Sequence, residues 1–70
     1  MHHIVASMAG SIWKIVVKEG DVVANGQDVV ILESMKMEIP IPSETDGKVK
    51  ALKVKEGDFV NEGDLIAIIE

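Results

Sequence analysis

Apolar and polar residues alternate along this chain in short bursts, never at helical spacing. Ile12 to Val17 and Val49 to Val54 are rich in β-branched residues, which suit the half-buried pleated surface of a strand. Ile15 and Val17 share one face, as do Leu52 and Val54, while Lys14 and Lys53 fall on the other. The apolar face is therefore expected to look inward. The alternation is less clear at Trp13 and Lys50, so the lone tryptophan is expected to be a partly exposed rim residue. Val29 to Leu32 and Leu65 to Ile69 are two further apolar runs, too short for helices. No longer stretch combines helical periodicity with capping residues. The pattern predicts an all-β chain of about eight short strands in two sheets.

The same pattern occurs twice. Val17-Lys18-Glu19-Gly20-Asp21 returns 37 residues later as Val54-Lys55-Glu56-Gly57-Asp58. Without a gap, that spacing also matches Gly10 with Gly47, Val23 with Val60, Gly26 with Gly63, Ile31 with Ile68 and Glu33 with Glu70. One such half cannot bury a two-sided apolar set alone, so the halves are expected to close on each other about a pseudo-twofold axis. The expected organisation is one domain over residues 1–70, with half-repeats of about 1–34 and 38–70. The Glu-Gly-Asp segments read as turns, in which Gly accepts positive φ and Asp hydrogen-bonds neighbouring backbone. Asp21 and Asp58 are thus expected to be backbone caps rather than a catalytic carboxylate pair.

If the first half ends at Glu33, Glu38 to Ser43 aligns with Met1 to Ala6, leaving Ser34-Met35-Lys36-Met37 as the junction. A junction between strands of a compact β domain is a tight surface turn, so residues 34–37 are expected to form a hairpin that exposes Lys36. Pro40 and Pro42, two apart, fit an edge strand whose N–H groups are not needed for pairing. The turn lacks the Asn-Gly, Asp-Gly or Gly-X pair that two-residue hairpins favour. Two readings stand on these residues alone: a lysine retained for a function, or one that keeps a loop soluble beside gap-filling methionines.

Composition narrows the field. Seventy residues leave no room for a catalytic cleft beside a substrate domain. The absence of cysteine removes a disulfide framework, a thiolate metal site and a thiol nucleophile together. A net charge of −5 argues against a nucleic-acid backbone as partner. The apolar runs Val29-Val30-Ile31-Leu32 and Leu65 to Ile69 are both far below the roughly 20 residues of a membrane span. No signal peptide is evident at Met1 to Ala6, and a cytoplasmic protein is expected. His2 and His3, adjacent on a strand, would point to opposite faces and are not expected to bind metal.

Glu33-Ser34-Met35-Lys36-Met37-Glu38 resembles the biotin-acceptor motif of biotinyl domains, in which the modified lysine sits between two methionines. The resemblance covers the whole chain, including the duplicated turns and the prolines after the lysine. It extends to carrier modules of multifunctional carboxylases and to free-standing biotin/lipoyl attachment proteins. It implies a flattened β-barrel or sandwich of two four-stranded antiparallel sheets, a barrel-sandwich hybrid, with the acceptor hairpin at one end and both termini at the other. Some bacterial acetyl-CoA carboxylase carriers insert a protruding loop in the first half; the ungapped repeat leaves no room for one here. Ser34 stands where an alanine is usual.

By this resemblance Lys36 carries covalent biotin. Its neutral amine would attack biotinyl-adenylate made by a biotin protein ligase, and the amide would take the net charge from −5 to −6. The ureido ring would accept a carboxyl group at a biotin carboxylase and deliver it at a carboxyltransferase. The chain is then a non-catalytic, monomeric carrier whose contribution is a high local concentration of the arm at both sites. Met35 and Met37 would be the flanks that the ligase reads, with Glu33, Ser34 and Glu38 as polar contacts. The nearest rival is a lipoyl carrier with lipoate on the same lysine, although lipoyl domains favour Asp-Lys-Ala at the tip; dual attachment is a variant of it. An unmodified adaptor domain is the rival from another class.

Overall fold

The computed structural model describes residues 1–70 and consists of strands and turns with no helix. The strands are β1 (His2–Val5), β2 (Gly10–Ile15), β3 (Val22–Val23), β4 (Asp28–Ser34), β5 (Met37–Pro42), β6 (Gly47–Leu52), β7 (Phe59–Val60) and β8 (Leu65–Ile69). They form two four-stranded sheets in the orders β1-β8-β6-β3 and β5-β4-β2-β7, with every pairing antiparallel. Advancing each strand by four positions turns one order into the other. The internal repeat is thus a property of the topology. Each sheet takes two strands from each half, so neither half closes a sheet alone.

The core repeats the same symmetry. Seventeen residues are buried, and all but Gly10 fall into pairs 37 apart: Ile4 with Ile41, Ala6 with Ser43, Ile12 with Val49, Val17 with Val54, Val23 with Val60, Val29 with Ile66, Val30 with Ala67 and Leu32 with Ile69. Ser43 is the one buried polar side chain. Its hydroxyl donates to the Thr45 carbonyl at 2.6 Å, which removes the penalty of burying it unpaired.

Strict alternation does not account for this core, since Ile12, Ile15 and Val17 all turn inward. The β2–β4 ladder pairs Ile12 with Leu32 and Lys14 with Ile31, so Trp13 is an extra residue, a β-bulge that resets the parity. The second half has the same irregularity at Lys50, between Val49 and Ala51 on β6. Trp13, 41% exposed, lies at the rim as expected, with the Lys14 ammonium 5.5 Å from its ring centre. A second pair of irregularities lets Val29 and Val30, and likewise Ile66 and Ala67, turn inward although adjacent.

The turns are closed by carboxylates and their analogues. Asp21 accepts the Lys18 N–H at 2.8 Å and Asp58 the Lys55 N–H at 2.9 Å, the capping role that the repeat implied. Gln27 and Asp64 do the same for Ala24 and Asn61. Glu19 and Glu56 reach farther. The Leu52 N–H donates to Glu19 at 2.9 Å, and the Ile15 N–H to Glu56 at 3.1 Å. Each half therefore holds the other by a carboxylate from its own turn.

The two ends of the molecule, which measures 31 × 18 × 18 Å, have different occupants. Met1, His2, Ile69 and Glu70 gather with the β5–β6 loop residues Thr45 and Asp46 at one end. The β4–β5 turn occupies the other. No helix is long and apolar enough to cross a membrane.

Candidate functional site

The β4–β5 hairpin is the most extensively paired element, with its ladder running from Asp28–Pro42 to Ser34–Met37. Val29, Val30, Leu32 and Ile41 point from its arms into the core, and the partly buried Ile39 packs against them. The arms are therefore rigid up to the final pair. β5 is an edge strand, where Pro40 and Pro42 are exposed and remove donors that another chain could pair with.

Because Ser34 pairs with Met37, only Met35 and Lys36 remain to reverse the chain. A two-residue loop that follows the strand twist needs positive φ at both positions, and these residues supply 51° and 65°. They are the only non-glycine residues at positive φ in the protein. Side chains other than Gly, and to a lesser degree Asn and Asp, pay a steric penalty there of about 1–2 kcal/mol each. The tip is thus built against local preference and held by the arms.

Exposure is high across the tip: Met35 89%, Met37 64%, with Lys36, Glu33 and Glu38 exposed as well. Ser34 is the exception; half-buried, it faces the start of β2 more than solvent. Gly10 explains the proximity. A Cβ there would lie 2.8 Å from the Glu33 carbonyl oxygen and 3.4 Å from Ser34 Cβ, so only glycine lets β2 pass beneath the hairpin base. Glu33 and Glu38 are directly opposite on the ladder, and like charges on one rung oppose pairing.

Lys36 has no partner within the chain. The one contact of a basic side chain with a carboxylate lies between His2 Nε2 and Glu44 Oε1 at 3.9 Å, and the cation–π contact belongs to Lys14. Four surface cavities of about 220–510 Å³ lie elsewhere, and none is lined by residues 33–38. The site is accordingly a projecting primary amine on a rigid stem. Its geometry suits covalent modification by an enzyme that receives the tip, followed by delivery of the attached group to other sites. The six motif residues come together as one hairpin. Sequence reasoning missed Gly10 as its support, for which the match of Gly10 with Gly47 was the available signal.

Comparison with known proteins agrees with this geometry. Residues 2–69 match the Biotin_lipoyl family model, described as "Biotin-requiring enzyme". The biotin/lipoyl attachment protein of Bacillus subtilis is 63% identical over 59 residues, covering 84% of this chain and 81% of that protein. The mitochondrial propionyl-CoA carboxylase alpha chain of Sus scrofa is 43% identical over 63 residues, 90% of this chain but 9% of the carboxylase chain. Among solved structures, the urea carboxylase of Kluyveromyces lactis superposes with a TM-score of 0.94 at 38% identity, over 99% of this chain and 6% of that one. The chain thus corresponds to most of a small attachment protein and to a small part of each large carboxylase.

Proposed function

The chain belongs to the biotin-requiring enzyme family of biotin/lipoyl domains, and from that premise we propose that it is a biotin carboxyl carrier in which Lys36 takes the biotin. The observation that carries the assignment is the tip itself: an unpartnered lysine at φ 65° in a two-residue loop where glycine would fit better. Biotin, joined to Lys36 through an amide, supplies a ureido nitrogen able to carry a carboxyl group. The chain's own residues present and position that arm. The core-anchored strands β4 and β5 hold the two-residue loop in place, and Lys36 is exposed within it.

Loading falls to a biotin protein ligase, which must also deprotonate the Lys36 ammonium before the amine can attack. Met35 and Met37 offer it apolar contacts on either side of the lysine. Glu33 and Glu38 offer carboxylates from one rung; half-buried Ser34 acts by shaping the hairpin base. Residues 1–70 act as one carrier domain, a monomer that visits a biotin carboxylase and a carboxyltransferase in the cytoplasm, where ATP for loading is available. The carrier contributes no catalytic group; it supplies the arm at an effective concentration in the millimolar range.

The name of the Bacillus relative covers lipoate as well as biotin, which makes lipoate the second reading. Intact mass after incubation with ATP, biotin and a biotin protein ligase, and separately with ATP, lipoate and a lipoate ligase, separates the two. One biotinyl increment and no lipoyl increment is expected. A lipoyl increment alone would reverse the assignment, and no increment in either would favour an unmodified adaptor.

A further inference from the structure

The hydrophobic core consists only of isoleucine, leucine, valine and alanine. Methionine, usually a flexible core filler, is excluded from it. All four methionines are at the surface, and the two most significant flank Lys36: Met35 in the left-handed loop, Met37 on the closing rung opposite Ser34. Met8 is 36% exposed, and the sulfur of Met1 accepts a hydrogen bond from Lys50 Nζ at 3.4 Å. Neither Met35 nor Met37 has an equivalent in the duplicated architecture, since both lie at its junction.

We propose that Met35 and Met37 are oxidation sites whose sulfoxides block the loading of Lys36 while leaving the fold intact. The proposal rests on the reading of Lys36 as the biotin acceptor. Hydrogen peroxide is the oxidant. The thioether sulfur attacks one peroxide oxygen, an S–O bond forms as the O–O bond breaks, and the departing hydroxide takes the remaining proton to leave as water. The sulfur is oxidised by two electrons and the peroxide is reduced by two. The product replaces an apolar, flexible group by a polar one at both shoulders of the lysine. An enzyme that packs those thioethers against its own apolar surface would then bury a sulfoxide oxygen without a partner. Methionine sulfoxide reductases reverse the change, so the block is repairable. Oxidation leaves the core untouched because no methionine sulfur lies within it.

A competition experiment tests this with an internal control. The protein is partly oxidised with hydrogen peroxide, then half-loaded with biotin by a biotin protein ligase, and the biotinylated and unmodified fractions are separated. Cleavage after glutamate releases Ser34–Glu38, which holds Met35, Lys36 and Met37, and Met1–Glu19, which holds the other two methionines. The biotinylated fraction should be depleted about tenfold in sulfoxide on Ser34–Glu38, as when a buried apolar contact becomes polar, but not on Met1–Glu19. Reductase treatment should restore loading, and the oxidised protein should melt at the parent temperature. Equal sulfoxide on Ser34–Glu38 in both fractions would overturn the proposal, as would unfolding on oxidation. Failure of unoxidised protein to take biotin would instead sink the carrier assignment itself.

Discussion

Replacing Met35-Lys36 by Asn-Gly should stabilise the protein while removing its acceptor. Both residues lie at positive φ, 51° and 65°. Held there, ordinary side chains cost roughly 1–2 kcal/mol each, whereas glycine escapes the penalty and asparagine tolerates the region far better. The double substitution M35N/K36G therefore releases about 2–3 kcal/mol in the folded state. Against this, the introduced glycine enlarges the unfolded ensemble by up to about 1 kcal/mol. The net gain is about 1–2 kcal/mol, which for a domain of this length raises Tm by roughly 5–15 °C. Urea and thermal unfolding followed by circular dichroism measure it, with coincident transitions checking two-state behaviour. Lys36→Ala is the control, because alanine keeps a Cβ in the same region; its stability should stay within about 0.5 kcal/mol of the parent. A double variant no more stable than the parent would refute the strain argument, and with it the inference that the tip is kept for its chemistry.

Three other substitutions probe the scaffold. Gly47→Ala places a Cβ 2.5 Å from the Glu70 carbonyl oxygen and 2.6 Å from Ile69 Cγ2, and should lower stability by about 1–3 kcal/mol in urea titrations, as overpacking does. Glu19→Ala and Glu56→Ala each leave a strand N–H without its acceptor; each should cost about 1 kcal/mol, and the two values should agree within about 0.5 kcal/mol because the clasps are equivalent. Ile66→Ala removes a fully buried side chain at a cost of about 2–5 kcal/mol, comparable to the whole stability of so small a domain, so far-UV circular dichroism should show it largely unfolded at room temperature.

The duplicated spacing made much of this architecture legible in advance. It located the turns at Gly20 and Gly57, identified the junction at residues 34–37 and implied that the halves share a core. What it did not reveal has identifiable causes. Period-two reasoning assumes one residue per rung, so the extra residues at Trp13 and Lys50 blurred the alternation; bulges are decided by the facing strand. Glu19 and Glu56 were legible only as members of the Glu-Gly-Asp turns, because their partners, Leu52 and Ile15, are remote in sequence. Gly10 and Gly47 were visible as a matched pair, but the close passage that requires them arises only when β2 and β6 cross the ends of β4 and β8. At the tip, the missing Asn-Gly pair was legible. The left-handed backbone of Met35 and Lys36 became evident only from the ladder, which leaves two residues for the turn.

The chain contains seven lysines and no arginine, and Lys36 alone among them occupies the left-handed loop. The central claim is therefore tested most directly by mapping where a biotin protein ligase places biotin among these amines, in the parent and in Lys36→Ala. The account predicts one biotin per chain, on Lys36 only, and none on the variant although it remains folded. Biotin on Lys14, Lys50 or any other lysine, or a variant still modified to the same extent, would contradict it.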